Sequence, residues 1–237
     1  MKNKRIWLGM LVLILVFGMT VVGNANAQGT EVWTEGHFTF RVAYGLKMVD
    51  GEIVGDSSAS ILDYSGPGGN VQIPAQSDGL PVRYIYDGAF EGKGLTSISI
   101  PNSVREIGER AFAGNQLTNV TIPNGVTHIG GAAFAANRLT NVTIPNGVTH
   151  IEEYAFVQNQ LTNVTIPNGV THIGTQAFAG NQLTNVTIPS SVTHIGDMAF
   201  AMNRLTSVTV PSGTQIGENA FVRNGPNNDR EATVTRR

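Results

Sequence analysis

Leu117-Thr118-Asn119-Val120-Thr121-Ile122-Pro123-Asn124-Gly125-Val126-Thr127-His128-Ile129-Gly130-Gly131-Ala132-Ala133-Phe134-Ala135-Ala136-Asn137-Arg138 is one of six near-copies of a 22-residue unit. The copies open at Leu95, Leu117, Leu139, Leu161, Leu183 and Leu205. A fixed, leucine-headed period of this length marks a stacked solenoid, in which each unit buries its apolar side against its neighbours. Within the copy, Leu117, Val120 and Ile122 are expected to face inward and Asn119 and Thr121 outward, on a strand favoured by β-branched residues. Pro123 lacks an N–H and ends the strand. Pro123-Asn124 suits the two central positions of a turn. Val126 and Ile129 send a second short extended segment back into the core. Gly130 leads into a short helical or 3-10 turn carrying Ala133 and Phe134, the largest apolar group of the copy. Asn137, matched by Asn115, Asn159, Asn181 and Asn203, precedes each new strand and is expected to bond backbone in a buried ladder.

Outward from the six copies, which span residues 95–225, the pattern degrades. Residues 71–94 form a degenerate first repeat, with Val71-x-Ile73-Pro74 matching the strand half and Ala89-Phe90 the turn. Gly79 and Pro81 suggest that five extra residues before Ile85 loop out. Residues 28–70 lack the repeat and read as an N-terminal β cap. His37 to Tyr44 alternates apolar and polar residues, Ala59 to Tyr64 is a second strand, and Asp50-Gly51 is a turn between them. Such a cap is expected because an end repeat would otherwise expose half a core. The last copy is one residue short between Pro211 and Ile216. Residues 226–237 read as a polar, frayed tail.

Residues 1–27 read as a secretory leader. Lys2, Lys4 and Arg5 make a basic start, an apolar run follows from Ile6 to about Val22, and Ala25-Asn26-Ala27 is an A-x-A cleavage site. The rival reading is an uncleaved membrane anchor. Without residues 1–27 the chain has 12 Lys+Arg against 17 Asp+Glu, a net charge of −5. That argues against nucleic acid, whose phosphates need a basic patch. The expected mature chain has no transmembrane segment. The 237 residues include no cysteine, so thiol catalysis, thiolate metal sites and disulfides are excluded. No G-x-S-x-G elbow, phosphate loop or paired carboxylates can be nominated, so the chain is not read as an enzyme, and no cofactor is implied.

The pattern L-T-x-V-T-I-P-x-x-V-x-x-I-G-x-x-A-F closely resembles the BspA-like, or Treponema pallidum-type, leucine-rich repeat. The resemblance runs from about Ile61 to Gly225 and includes Asp63-Tyr64-Ser65-Gly66 through Val71-x-Ile73-Pro74 to Ala89-Phe90, which looks like that family's first repeat. The family's common repeat has 23 residues and often a cysteine after the A-F turn; here it has 22, and Asn stands near that place. The resemblance implies a right-handed leucine-rich-repeat solenoid. It also implies an exported protein, secreted or at the cell surface. Several members act as adhesins, so the implied partner is a host matrix protein, another cell-surface protein or a glycan. A structural spacer or display scaffold is the alternative, and an enzyme, which would need a concave pocket with converging polar groups, is the second.

Two outward columns recur without being needed by the core. Asn119, Asn141, Asn163 and Asn185, with Thr121, Thr143, Thr165 and Thr187, make a flat, uncharged face suited to hydrogen bonding, the candidate ligand platform. Its four Asn-Val-Thr triplets are glycan acceptor sequences stacked too closely to carry four glycans. His128, His150, His172 and His194 fill one position in four consecutive copies, with Glu106 before them and Gln215 after. Strand spacing would set neighbouring histidines about 4.8 Å apart. They are a candidate pH-sensitive column, whose binding is expected to change between pH 7.5 and 5.5. No metal site is assigned, because zinc ordinarily needs four ligands.

Overall fold

The computed structural model describes residues 4–6, 14–16, 19–21, 32–49, 52–225 and 229–237. The first three segments are short strands, Lys4–Ile6, Ile14–Val16 and Met19–Val21. Most of the expected leader 1–27, and the expected turn at Asp50-Gly51, lie outside the described residues. Among those described, no helix is long and apolar enough to cross a membrane.

About eight turns stack into a β-solenoid of the leucine-rich-repeat type. The turn from Leu139 to Gln160 illustrates them. Strand Asn141–Thr143 runs along the platform with Val142 inward. Leu139, Val142, Ile144, Val148, Ile151, Ala155 and Phe156 are each at most 5 % exposed, so one turn fills its interior with seven apolar side chains. The Val148 N–H donates to the Pro145 carbonyl at 3.1 Å, and the matching bond recurs from Val126 to Pro123 at 3.0 Å. Proline is therefore the first residue of this turn, and Asn-Gly its centre, rather than Pro-Asn as expected. The strand His150–Ile151 then returns along the opposite side.

The A-F segment is a pair of successive turns, and no helix occurs among the described residues. Ala133 N–H donates to Gly130 O at 3.2 Å and Ala135 N–H to Ala132 O at 3.0 Å. The intervening donors point along the stack instead. Ala132, Phe134 and Ala136 N–H groups reach Glu153, Ala155 and Val157 carbonyls of the next turn at 2.8–2.9 Å. A helix would direct those donors back along its own axis. It would also need about 10 Å of width, whereas the stacked phenylalanine rings stand 5.1–5.6 Å apart. Turning the donors outward requires left-handed backbone at two places per turn, Ala132 (φ 53°) and Ala136 (φ 52°) in this copy.

Two ladders run through the interior. Phe90, Phe112, Phe134, Phe156, Phe178, Phe200 and Phe221 form a continuous ring stack, each at most 2 % exposed. Between Phe134 and Phe156 the interplanar angle is only 2°. Beside it, the expected asparagine ladder is present. Asn137 Nδ2 donates to Phe112 O of the turn before at 2.9 Å and to Phe134 O of its own turn at 3.2 Å. Its Oδ1 accepts the Leu117 N–H at 3.1 Å. One amide thus satisfies buried backbone groups of two turns, and no buried side-chain polar atom among the described residues lacks a partner.

Before the regular turns, Val32–Glu35, Phe38–Val49 and Glu52–Tyr64 pair antiparallel in sequence order. Ala59–Ile61 then pairs parallel with Val82–Ile85, so the return ladder starts within residues 28–70. Tyr64 lies on Phe90 at 5.4 Å and continues the ring stack. The extra residues of the degenerate repeat form a tight hairpin, Gln76–Ser77 against the start of Leu80–Ile85, turning at Asp78 and Gly79 with positive φ. At the other end, the tail corrects the expectation of fraying. Thr233–Arg236 pairs parallel with Ser207–Val210 and Ala232 is buried. In the shortened last copy Thr214 takes the place of the buried valine, and its hydroxyl donates to Val192 O at 2.7 Å.

Candidate functional site

The platform residues Asn119, Thr121, Asn141, Thr143, Asn163, Thr165, Asn185 and Thr187 are all exposed. Alternation places them outward because Val142 and Ile144, with their counterparts, take the inward positions. Asn141 stands opposite Asn163 and Thr143 opposite Thr165 in parallel register. Asn141, Asn163 and Asn185 each direct Nδ2 toward the preceding threonine hydroxyl at 3.4 Å. The face is not one continuous sheet. Strand pairing joins Gly69–Gln72 to Leu95–Ser99, Asn141–Thr143 to Asn163–Thr165, and Ser207–Val210 to Thr233–Arg236. Asn119, Thr121, Asn185 and Thr187 lie on turns outside these pairs.

On the return side the four histidines divide into three and one. His150, His172 and His194 stack face to face, with centroids 4.6 and 4.5 Å apart and interplanar angles of 10° and 6°. Each ring's Nδ1 lies 2.8–2.9 Å from the hydroxyl of the threonine before it: Thr149, Thr171 and Thr193. The Thr171 and Thr193 hydroxyls donate to the Thr149 and Thr171 carbonyls of the preceding turns at 3.2 and 3.1 Å. With its proton used there, the hydroxyl can only accept from the ring. The neutral rings of His172 and His194 are therefore protonated at Nδ1, and Nε2 keeps its lone pair. Burial, then the flanking His150 and His194, hold the pKa of His172 below its ordinary value, while Glu152 opposes them. Among the described residues, no group of three or more His, Asp or Glu is placed to hold a metal ion.

His128 stands outside the stack because the return ladder is interrupted beside it. His128–Ile129 pairs back to Glu106–Ile107, whereas His150–Ile151 pairs only forward to His172–Ile173. One residue sets this place apart from the other turns. Gly108, Gly130, Gly174, Gly196 and Gly217 occupy a place where an added Cβ would come within 2.4–2.7 Å of the turn before. Each donates its N–H to the isoleucine carbonyl of that turn, for instance Gly174 to Ile151 at 2.7 Å. The matching residue at the interruption is Glu152, whose side chain needs the space that glycine leaves. The turns separate there along the return strand.

A groove of about 640 Å³ runs along the return side over the paired strands before the interruption and reaches it at Glu152; Tyr84, Asp87, Glu106, Glu109 and His128 also line it. The outward columns do not point to it, because a column records only what repeats.

The family model described as the BspA type leucine rich repeat region matches residues 83–204, over half of the chain, in six copies. No curated protein gives a significant sequence match. Among solved structures, the chain is similar to the T. pallidum leucine-rich-repeat protein TpLRR. The two share 27 % identity over 76 % of this chain and 85 % of that one, with a TM-score of 0.57. It is also similar in fold to the pneumococcal vaccine antigen PcpA, at 15 % identity over 86 % of this chain and 69 % of that one, with a TM-score of 0.52.

Proposed function

The chain belongs to the BspA-type leucine-rich-repeat family, and from that premise we propose that it is an exported binding module, secreted or displayed at the cell surface. In this reading its platform engages a host matrix protein, another surface protein or a glycan, and adhesion is the role that follows. The observation that carries the reading is the set of eight exposed, uncharged Asn and Thr side chains held in columns over a close-packed core. A rigid frame lowers the ordering cost of binding, and uncharged amides and hydroxyls can donate and accept without the desolvation cost of ions. The basic start, apolar run and A-x-A site of residues 1–27 support export.

A binding screen of residues 28–237 against matrix proteins, mucins and glycans tests this. Changing Asn119, Asn141, Asn163 and Asn185 together to Ala should weaken any binding found by about tenfold or more, roughly 1.4 kcal/mol, and leave the melting temperature unchanged. Unaltered affinity in the fourfold variant, or no binding by the parent to any of these ligands, favours a spacer and overturns the proposal.

A further inference from the structure

We propose that the stacked row His150, His172 and His194 is a proton-gated binding site for a linear acidic glycan, separate from the Asn/Thr platform. Three observations carry it. First, the rings form a straight file at 4.5–4.6 Å, so the face offers identical groups at a constant interval rather than a single pocket. Second, Nδ1 of each ring is occupied by a threonine hydroxyl, which leaves Nε2 as the free ring nitrogen. At His172 and His194, where the threonine hydroxyl donates elsewhere, protonation at Nε2 converts an acceptor into a charged donor without disturbing the threonine contact. Third, the row has a polarity. Glu152 acts on His172 from the side of the open groove, and Glu106 stands farther along beside His128. Beyond His194 the column continues with the uncharged Gln215.

The ligand class follows from the spacing and the charge. A file of cations suits a polymer carrying acidic groups at a similar interval. An extended glycan bearing a sulfate or carboxylate on successive sugars repeats its charge once per sugar ring, an interval of the same order as that between the imidazoles. A polymer in which every link is charged at a much shorter interval would align with fewer of the rings. The chain as a whole is acidic, with a formal net charge of −2 at pH 7, so without added protons it offers an anionic polymer no general attraction. Acid adds protons to imidazole, so lowering the pH gives the row positive charge. Burial, then the neighbouring rings His150 and His194, disfavour charge on the middle ring, and Glu152 favours it.

Binding of size-defined heparin and polygalacturonate by the protein, measured at pH 7.5 and 5.5, tests the proposal. The expected result is a gain of at least about tenfold at the lower pH. The gain should be lost in the triple variant H150Q/H172Q/H194Q and kept in H128Q. Glutamine is tolerated in this column, since Gln215 pairs there in the last turn, so the triple variant keeps the fold; its circular dichroism melt checks this. The fourfold platform variant should retain the gain, which separates this site from the platform. A pH gain that survives in the triple variant overturns the proposal. So does equal binding of neutral dextran, binding of polyphosphate without the glycans, or no binding at pH 5.5.

Discussion

At the scale of the residue, a few polar side chains hold more of the fold than their number suggests. Asn159 is 7 % exposed; its Nδ2 donates to Phe134 O at 2.9 Å and to Phe156 O at 3.2 Å, and its Oδ1 accepts from Leu139 N at 3.0 Å. Asn159→Leu would strand these groups, each buried orphan costing about 1–3 kcal/mol. We expect a loss of about 3 kcal/mol in urea denaturation, and Asn159→Asp should fare no better, because a carboxylate cannot donate. A loss within experimental error would refute the ladder's importance. His172 carries a pH dependence whose sign is set by its lowered pKa. The unfolded chain takes up this proton at higher pH than the folded one. Stability is therefore complete above the ordinary imidazole value and declines as pH falls through it. Two charged rings at this separation also repel by about 0.9 kcal/mol in a water-like dielectric. The melting temperature should drop between pH 7.5 and 5.5, and less so in His172→Gln; parallel pH profiles for the two proteins would contradict this.

At the scale of the element, the return strand shows how one Cβ changes a ladder. The repeat places glycine where successive turns come closest, and Glu152 breaks the pattern once. Glu152→Gly should restore two inter-turn bonds equivalent to those from Thr171 N–H to Thr149 O and from Gly174 N–H to Ile151 O. At roughly 0.5–1.5 kcal/mol per bond, offset by about 1 kcal/mol for the added backbone freedom of glycine, the net gain is small. The sharper readout is amide exchange: residues 149 and 152 should gain protection in the variant. Unchanged exchange would mean that the opening has another cause. The A-F turn makes the complementary point. Its sequence suggested helix, yet its alternate donors serve the next turn, and the close stacking leaves no width for a helix.

At the scale of the molecule, stability accumulates turn upon turn. Phe156 has ring neighbours on both sides, at 5.6 Å each, whereas Phe221 has one, Phe200 at 5.5 Å. Phe156→Ala should cost about 3–5 kcal/mol, and Phe221→Ala distinctly less, when both are unfolded in denaturant; equal costs would argue against a stack whose strength lies in its nearest-neighbour contacts. The period of 22, the inward Leu, Val, Ile and Phe, the asparagine ladder and the outward Asn, Thr and His columns were legible in the sequence alone. Each follows from the side-chain alternation of a strand, or from the need to satisfy buried backbone, both local rules that one copy is enough to apply. Tertiary structure decided what depends on residues 22 apart meeting in space. That includes the absence of a helix among the described residues, the division of the platform into pairs and the closing strand Thr233–Arg236. It also includes the separation of His128 from its three stacked counterparts, because whether two turns pair depends on the room between their backbones, and glutamate stands there where the other turns have glycine.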